Sequence, residues 1–141
     1  MFKTIKIMHL RACNFVGGPE KQILEHFKNI DRKRFTPVLA TFANSDENDH
    51  LGVYSRKLGF ETIRIADLSP VDPRLIACLI FSLRKAKIDI LCTHGYKPNI
   101  LGLIASKLVR IPSVAISRGW TGESRSRCRR GTACPPGAAP R

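Results

Sequence analysis

Apolar runs alternate with stretches of helical period along most of this chain. Ile5 to Leu10 is a strand-like run, and Ile23, Leu24, Phe27 and Ile30 recur at helical spacing between Glu20 and Ile30. "TPVLATFA" predicts a second strand. After the polar loop "ANSDENDH", a short helix runs from Leu51 to Leu58 and stops at Gly59, a residue suited to a helix C-terminus. "FETIRIA" alternates as a third strand. "LSPVDP" is a turn whose Asp72 caps, and whose Pro73 opens, a helix carrying Leu75, Ile76, Leu79, Ile80 and Leu83. "IDILCT" is the fourth strand, "HGYKPN" a loop, "ILGLIASKL" a helix and "IPSVAIS" a fifth strand, apolar enough to be covered on both faces. Five strands alternating with four helices predict an α/β fold with a parallel, doubly wound sheet.

In such a sheet the first and fourth strands are neighbours and the chain reverses direction between them, the place where ligands settle. The loops at that edge are "RACNFVGG", "HGYKPN" and "RGWTGE". In the first, Gly17 and Gly18 precede Pro19 and a helix. Glycines permit unusual backbone angles or close approach, proline suits a first helical turn, and the free N–H groups of a helix start attract anions. The pair also fits a plain tight turn. Glu20 reads as a residue that compensates the helix dipole and is left out of catalysis. His94 ends the fourth strand, so its ring is expected at the mouth of the cleft and not in the core. An imidazole there can donate to a hydroxyl or phosphate near neutral pH.

Composition narrows the class. The 141 residues are 43% hydrophobic, enough for one domain with a core. No run reaches the ~18 apolar residues of a membrane span. The start, "MFKTIKIMHL", mixes Lys3 and Lys6 into its apolar positions and lacks a small-residue cleavage site, so a soluble, cytoplasmic protein is expected. The cysteines at 13, 78, 92, 128 and 134 have no metal-ligand spacing, and no metal or cofactor is called for. The net charge of +13 raises nucleic acid as a partner. Residues 1–123, however, hold 19 Lys and Arg against all 11 acids, and the last eighteen residues add five Arg and no acid. The excess sits in a tail without aromatic interleaving, which argues against specific nucleic-acid binding and leaves a basic RNA- or membrane-binding tail as the alternative.

Taken together, "LRACNFVGGPEKQILE", "IDILCTHGYKPNILGLIASKL" and "IPSVAISRGWTGE" resemble the N-terminal domain of the family-4 (group 1) glycosyltransferases over residues 3–123. The resemblance implies a Rossmann-like domain, half of a GT-B fold, that faces a second domain across a cleft. It implies transfer of a sugar from a nucleotide-sugar donor to a glycan or lipid acceptor at the inner face of a membrane, with peripheral membrane association left open. On this reading Gly17 and Gly18 approach the donor's diphosphate or sugar, and His94 lies beside the donor sugar as the catalytic candidate. Asn14, Tyr96, Arg118, Gly119 and Trp120 are candidate acceptor contacts, with Arg11 and Lys97 beside them. Arg118 and Trp120 suit ion pairing and stacking, or equally a surface Arg and a packed Trp. The alternative is a Rossmann-like module that binds a phosphorylated small ligand or a partner protein without catalysis.

The resemblance stops at Glu123. A C-terminal donor-binding domain of the family carries two glutamates eight positions apart, and no such pair occurs here. Residues 124–141, "SRSRCRRGTACPPGAAPR", have no apolar periodicity and predict a disordered tail. The expectation is a reading frame that shifts near Glu123 and an inactive fragment. Resequencing the locus tests this, and an intact frame with no family-like continuation in another frame refutes it. Amide exchange is expected to be fast throughout 125–141 in the isolated chain, because nothing there offsets the entropy of ordering.

Overall fold

The hydrophobic runs sort themselves into one sheet. A computed structural model describes residues 3–12, 15–67 and 73–117; Asn14, residues 68–72 with the expected turn and Asp72 cap, Arg118, Gly119, Trp120 and the expected tail lie outside the described residues. The strands are β1 (Ile5–Arg11), β2 (Phe35–Phe42), β3 (Glu61–Ile65), β4 (Ile90–His94) and β5 (Ser113–Ile116). They are parallel throughout and stand in the order β3-β2-β1-β4-β5. The chain therefore reverses direction between β1 and β4, as the sequence predicts.

Side chains alternate across β1 and divide the core in two. Met8 and Leu10 are buried with Val38 and Ala40 under α3 (Pro73–Lys85) and α4 (Tyr96–Val109), which supply Leu75, Leu79, Leu83 and Ala105. On the opposite face, α1 (Gly18–Asn29) and α2 (His50–Lys57) bury Ile23, Leu24, Phe27 and Leu51 with Leu39 and Phe60. His9 and Arg11 belong to that second face, where each meets α1.

The register of β1 on β4 is fixed at its amino end by Asp89. Its Oδ2 accepts from the Lys6 amide at 2.8 Å, and its own amide donates to the Lys6 carbonyl at 2.9 Å. The Lys6 N–H, acting against partial burial and helped by Lys3, holds the Asp89 carboxyl below its usual range. At the other end α4 lies close on β4, because Gly102 has no side chain where Thr93 and Leu91 come up beneath the helix.

The largest difference from the expected boundaries is at α4. The helix expected from Ile100 begins at Tyr96, so the loop "HGYKPN" shrinks to Gly95. Pro98 and Asn99 read as a turn, yet a first helical turn needs no N–H from its proline. Gly95 makes the entry with φ +97°, a region that side chains disfavour.

The two margins of the sheet also differ. β3 carries Glu61, paired with Lys6, and Arg64, paired with Asp46. β5 carries no charge, and its Val114 is 50% exposed.

A Gly102→Ala variant is expected to lose about 1–3 kcal/mol in urea denaturation, because the new methyl overlaps that of Thr93. Adding Thr93→Ser removes the obstructing methyl and should restore part of the loss. An unchanged midpoint in the single variant would refute the close approach.

Candidate functional site

The site is the carboxyl edge where β1 and β4 end side by side and α1 and α4 begin. Arg11 and His94 are partners in the strand register, so the two helix starts open on the same end of adjacent strands. The start of α4 presents the Tyr96 and Lys97 amides, whereas at the start of α1 the Glu20 carboxylate already takes the Gly17 and Glu20 N–H groups and leaves the Gly18 amide. Gly18 is the first residue of α1, and a side-chain carbon there would meet nothing within 4 Å. The backbone at this point is thus approachable.

Gly17 is present for space and not for an unusual backbone angle. Gly17 has φ −96° in extended backbone, and Gly18 is not among the positive-φ residues. A Cβ on Gly17 would press on the Phe15 ring at 2.7 Å and on Glu20 Oε2 at 3.0 Å.

Glu20 departs most from its expected role. It is fully buried, and its Oε2 accepts from the Gly17 amide at 3.0 Å. Its Oε1 receives Arg11 through Nε at 2.8 Å and Nη2 at 2.7 Å. Arg11 Nη1 continues to the His94 carbonyl at 3.2 Å. Burial pushes the Glu20 carboxyl up, but the N–H groups of Glu20 and Gly17 together with the Arg11 guanidinium outweigh it and hold the group below its ordinary 4.5. One carboxylate and one guanidinium therefore fasten the Gly17 turn to the end of β4. The signal available in the sequence was the Arg at the end of β1 followed nine residues later by an acid in a helix's first turn.

His94 also departs from expectation. The residue is 3% exposed, its ring stacks on His9 at 5.3 Å between centroids, and with His9, His26 and Cys92 it lines a concavity of about 350 Å³ against α1. His9 Nδ1 and His94 Nε2 lie 3.0 Å apart, so one donates and the other accepts. His26 and Phe27 of α1 complete the surroundings of His9, at 5.5 and 5.0 Å. The parity of the strands explains this placement. His94 pairs with Arg11 and His9 with Cys92, so both imidazoles share the α1 face. Burial also pushes the Cys92 thiol up. His94 keeps its position at the Gly17–Gly18 end of the sheet, but its ring lies one layer deeper.

Tyr96, expected in a loop, stands in the first turn of α4 with 78% of its surface exposed. Lys97 is engaged, its Nζ donating to both carboxylate oxygens of Asp67 at 2.7 and 2.6 Å. Asn14, Arg118, Gly119 and Trp120 fall outside the described residues.

No family model matches the chain. In sequence it is 29% identical over 125 residues to the Escherichia coli protein named UDP-Gal:alpha-D-GlcNAc-diphosphoundecaprenol alpha-1,3-galactosyltransferase, a match covering 87% of this chain and 32% of that one. In fold it is similar to a glycosyltransferase from Rickettsia africae (TM-score 0.63, 17% identity, 81% of this chain and 30% of that one). It is also similar to a UDP-N-acetylglucosamine 2-epimerase (TM-score 0.56, 17% identity, 90% and 37%). The chain thus spans about a third of the length of each of these three proteins. The likeness to a glycosyltransferase implied by the sequence motifs holds in sequence and in fold, and the α/β Rossmann-like sheet is that of one part of those larger chains.

A Glu20→Gln variant leaves Arg11 facing a neutral amide. It is expected to be destabilised by about 2–4 kcal/mol, somewhat less than a fully enclosed pair because Arg11 is partly exposed. Because the folded Glu20 titrates below its ordinary value, its stabilisation is complete above 4.5 and fades as pH falls through the lower folded value. Wild type should therefore lose more stability than Glu20→Gln on acidification below 4.5, and parallel acid limbs would contradict this.

Proposed function

We propose that this chain is the acceptor-side half of a glycosyltransferase that moves a sugar from a nucleotide-sugar donor, of the uridine-diphosphate class, to a glycan or lipid-linked acceptor. The observation that carries the reading is the pair of helix starts, α1 at Gly18 and α4 at Tyr96, open at the ends of adjacent strands where the sheet reverses. The α4 start and the Gly18 amide beside the neutralised Arg11–Glu20 pair suit a diphosphate that gains charge as the sugar departs. The similarity to a galactosyltransferase along 87% of the chain supports the same reading. Among the described residues no helix is long and apolar enough to cross a membrane, which agrees with work at the cytoplasmic face on a membrane-held acceptor.

His94 acts in this proposal through its backbone position and its imidazole pair with His9, and Tyr96 faces the acceptor. Asn14, Arg118, Gly119 and Trp120 remain acceptor candidates on sequence grounds. On this reading the described residues supply one wall of a cleft, and the chain by itself is expected to bind donor weakly and to transfer no sugar. Orientation of donor against acceptor contributes roughly 7–11 kcal/mol in well-aligned reactions, and a single wall forfeits most of it. A second reading, a phosphate-binding module without catalysis, is favoured by the burial of the His94 ring.

Titrating UDP into the chain is expected to shift the amides of Gly18, Glu20, Tyr96 and Lys97 with weak affinity; shifts confined to other regions would remove the donor-edge assignment. Nucleoside diphosphate release from donor and acceptor mixtures should stay at background with the 141-residue chain. Turnover that is lost in His94→Ala would show instead that this half is an enzyme. Joined to a donor-binding domain, the chain should turn over, and persistent inactivity with retained UDP binding would favour the binding-module reading.

A further inference from the structure

His9 and His94 are both buried, and they touch directly, with His9 Nδ1 3.0 Å from His94 Nε2. A contact of that length needs a hydrogen on one nitrogen and a lone pair on the other. The neutral pair meets this condition, and so does the pair with one added proton. A second added proton breaks it, because both facing nitrogens then carry hydrogen and both rings carry charge. The pair as folded therefore holds at most one extra proton, whereas the unfolded chain holds one on each imidazole.

The elements packed around the pair set what that second charge would meet. On α1, His26 stands 5.5 Å from His9 between ring centres and Phe27 5.0 Å, with Gln22 and Ile23 beside them. On β1, Arg11 shares the face, bound to Glu20 and to the His94 carbonyl. On β4, burial pushes the Cys92 thiol up, so it stays neutral. β2 places Leu39 and Thr41 opposite His9 and Arg11 in register, and β5 contributes Ile116. Among the described residues, the titratable and charged groups facing the pair are thus His26, Cys92 and an ion pair whose carboxylate is already engaged. Room for movement adjoins them. Both imidazoles line the concavity of about 350 Å³, together with His26, Gln22, Ile7 and Ile116, so a displaced ring has somewhere to go.

We propose that His9 and His94 form a proton-operated switch, in which a second proton parts the pair, one imidazolium moves into the concavity, and the change reaches the end of β4. The route to that end is short: the His94 carbonyl receives Arg11, and Gly95 and the start of α4 follow directly. The switch rests on the contact between the rings and not on the transferase reading. Its sign follows from proton counting. Below about pH 6.5, the ordinary imidazole value, the unfolded chain binds more protons than the closed pair, so stability is complete above that pH and falls as acid is added. The Glu20 carboxyl titrates below 4.5, which keeps its own acid step apart.

The test uses the 141-residue chain, followed by NMR and by urea denaturation between about pH 7 and 5, the range in which imidazoles change charge. The ring signals of His9 and His94 and the amides of Gly95 and Tyr96 are expected to change together in one step. Over the same range the unfolding equilibrium constant should rise by up to about tenfold per pH unit for the excluded proton. His9→Gln keeps a side chain that can bond to His94 and removes one proton site; it should abolish the amide step and flatten the rise. His94→Gln is the reciprocal variant and carries the same expectation should His9→Gln not fold. His50→Gln, on α2 and outside the concavity, should change neither. Ring signals that titrate while Gly95 and Tyr96 stay still would overturn the proposal. So would an amide step that survives in both pair variants, or a rise flattened equally by His50→Gln. No nucleotide enters these measurements, so the donor-edge assignment and the switch can each fail while the other stands.

Discussion

A carboxylate taken out of water must be answered by donors on every side, and at Glu20 this requirement organises the whole end of the sheet. Its oxygens accept from Arg11 and from the Gly17 amide, and Arg11 reaches on to the His94 carbonyl. Three pieces of chain that are far apart in sequence are thereby held in one arrangement: the end of β1, the start of α1 and the end of β4. Gly95 lies within this arrangement too, since a side-chain carbon there would stand 3.2 Å from Arg11 Nη1. The empty space at Gly17 and at Gly95 is what lets the guanidinium and carboxylate sit where they do.

The frame of this fold was legible because each apolar run had one plausible use. Val38 to Ala43 is too apolar for a surface, Leu75, Leu79 and Leu83 recur at helical spacing, and the pairing of the first strand with the fourth followed from the doubly wound pattern. The start of α4 was not legible, since Pro98 and Asn99 signal a turn to any local reading. Their helical state depends on Gly95 turning the chain first.

The candidate site divides along a similar line. That His94 and Gly18 share an edge follows from both lying just past parallel strands. Where the His94 ring points depends on parity across two strands, and His9 was the missing partner. Glu20 escaped for a different reason. An acid in a first helical turn is ordinarily a surface group that favours the dipole, and only the tertiary approach of Arg11 makes burial tolerable.

The unlike margins of the sheet give it a polarity across the strands. On the β3 side, Glu61 and Arg64 carry charges already committed to Lys6 and Asp46, and an incoming strand would have to displace them. On the β5 side the four residues from Ser113 to Ile116 offer no such obstacle, and the neighbouring flank of α4 presents Tyr96 and Leu103 to solvent. Among the described residues, then, an additional strand would meet a guarded margin on one side and an uncharged one on the other, like a zipper with a stop at one end.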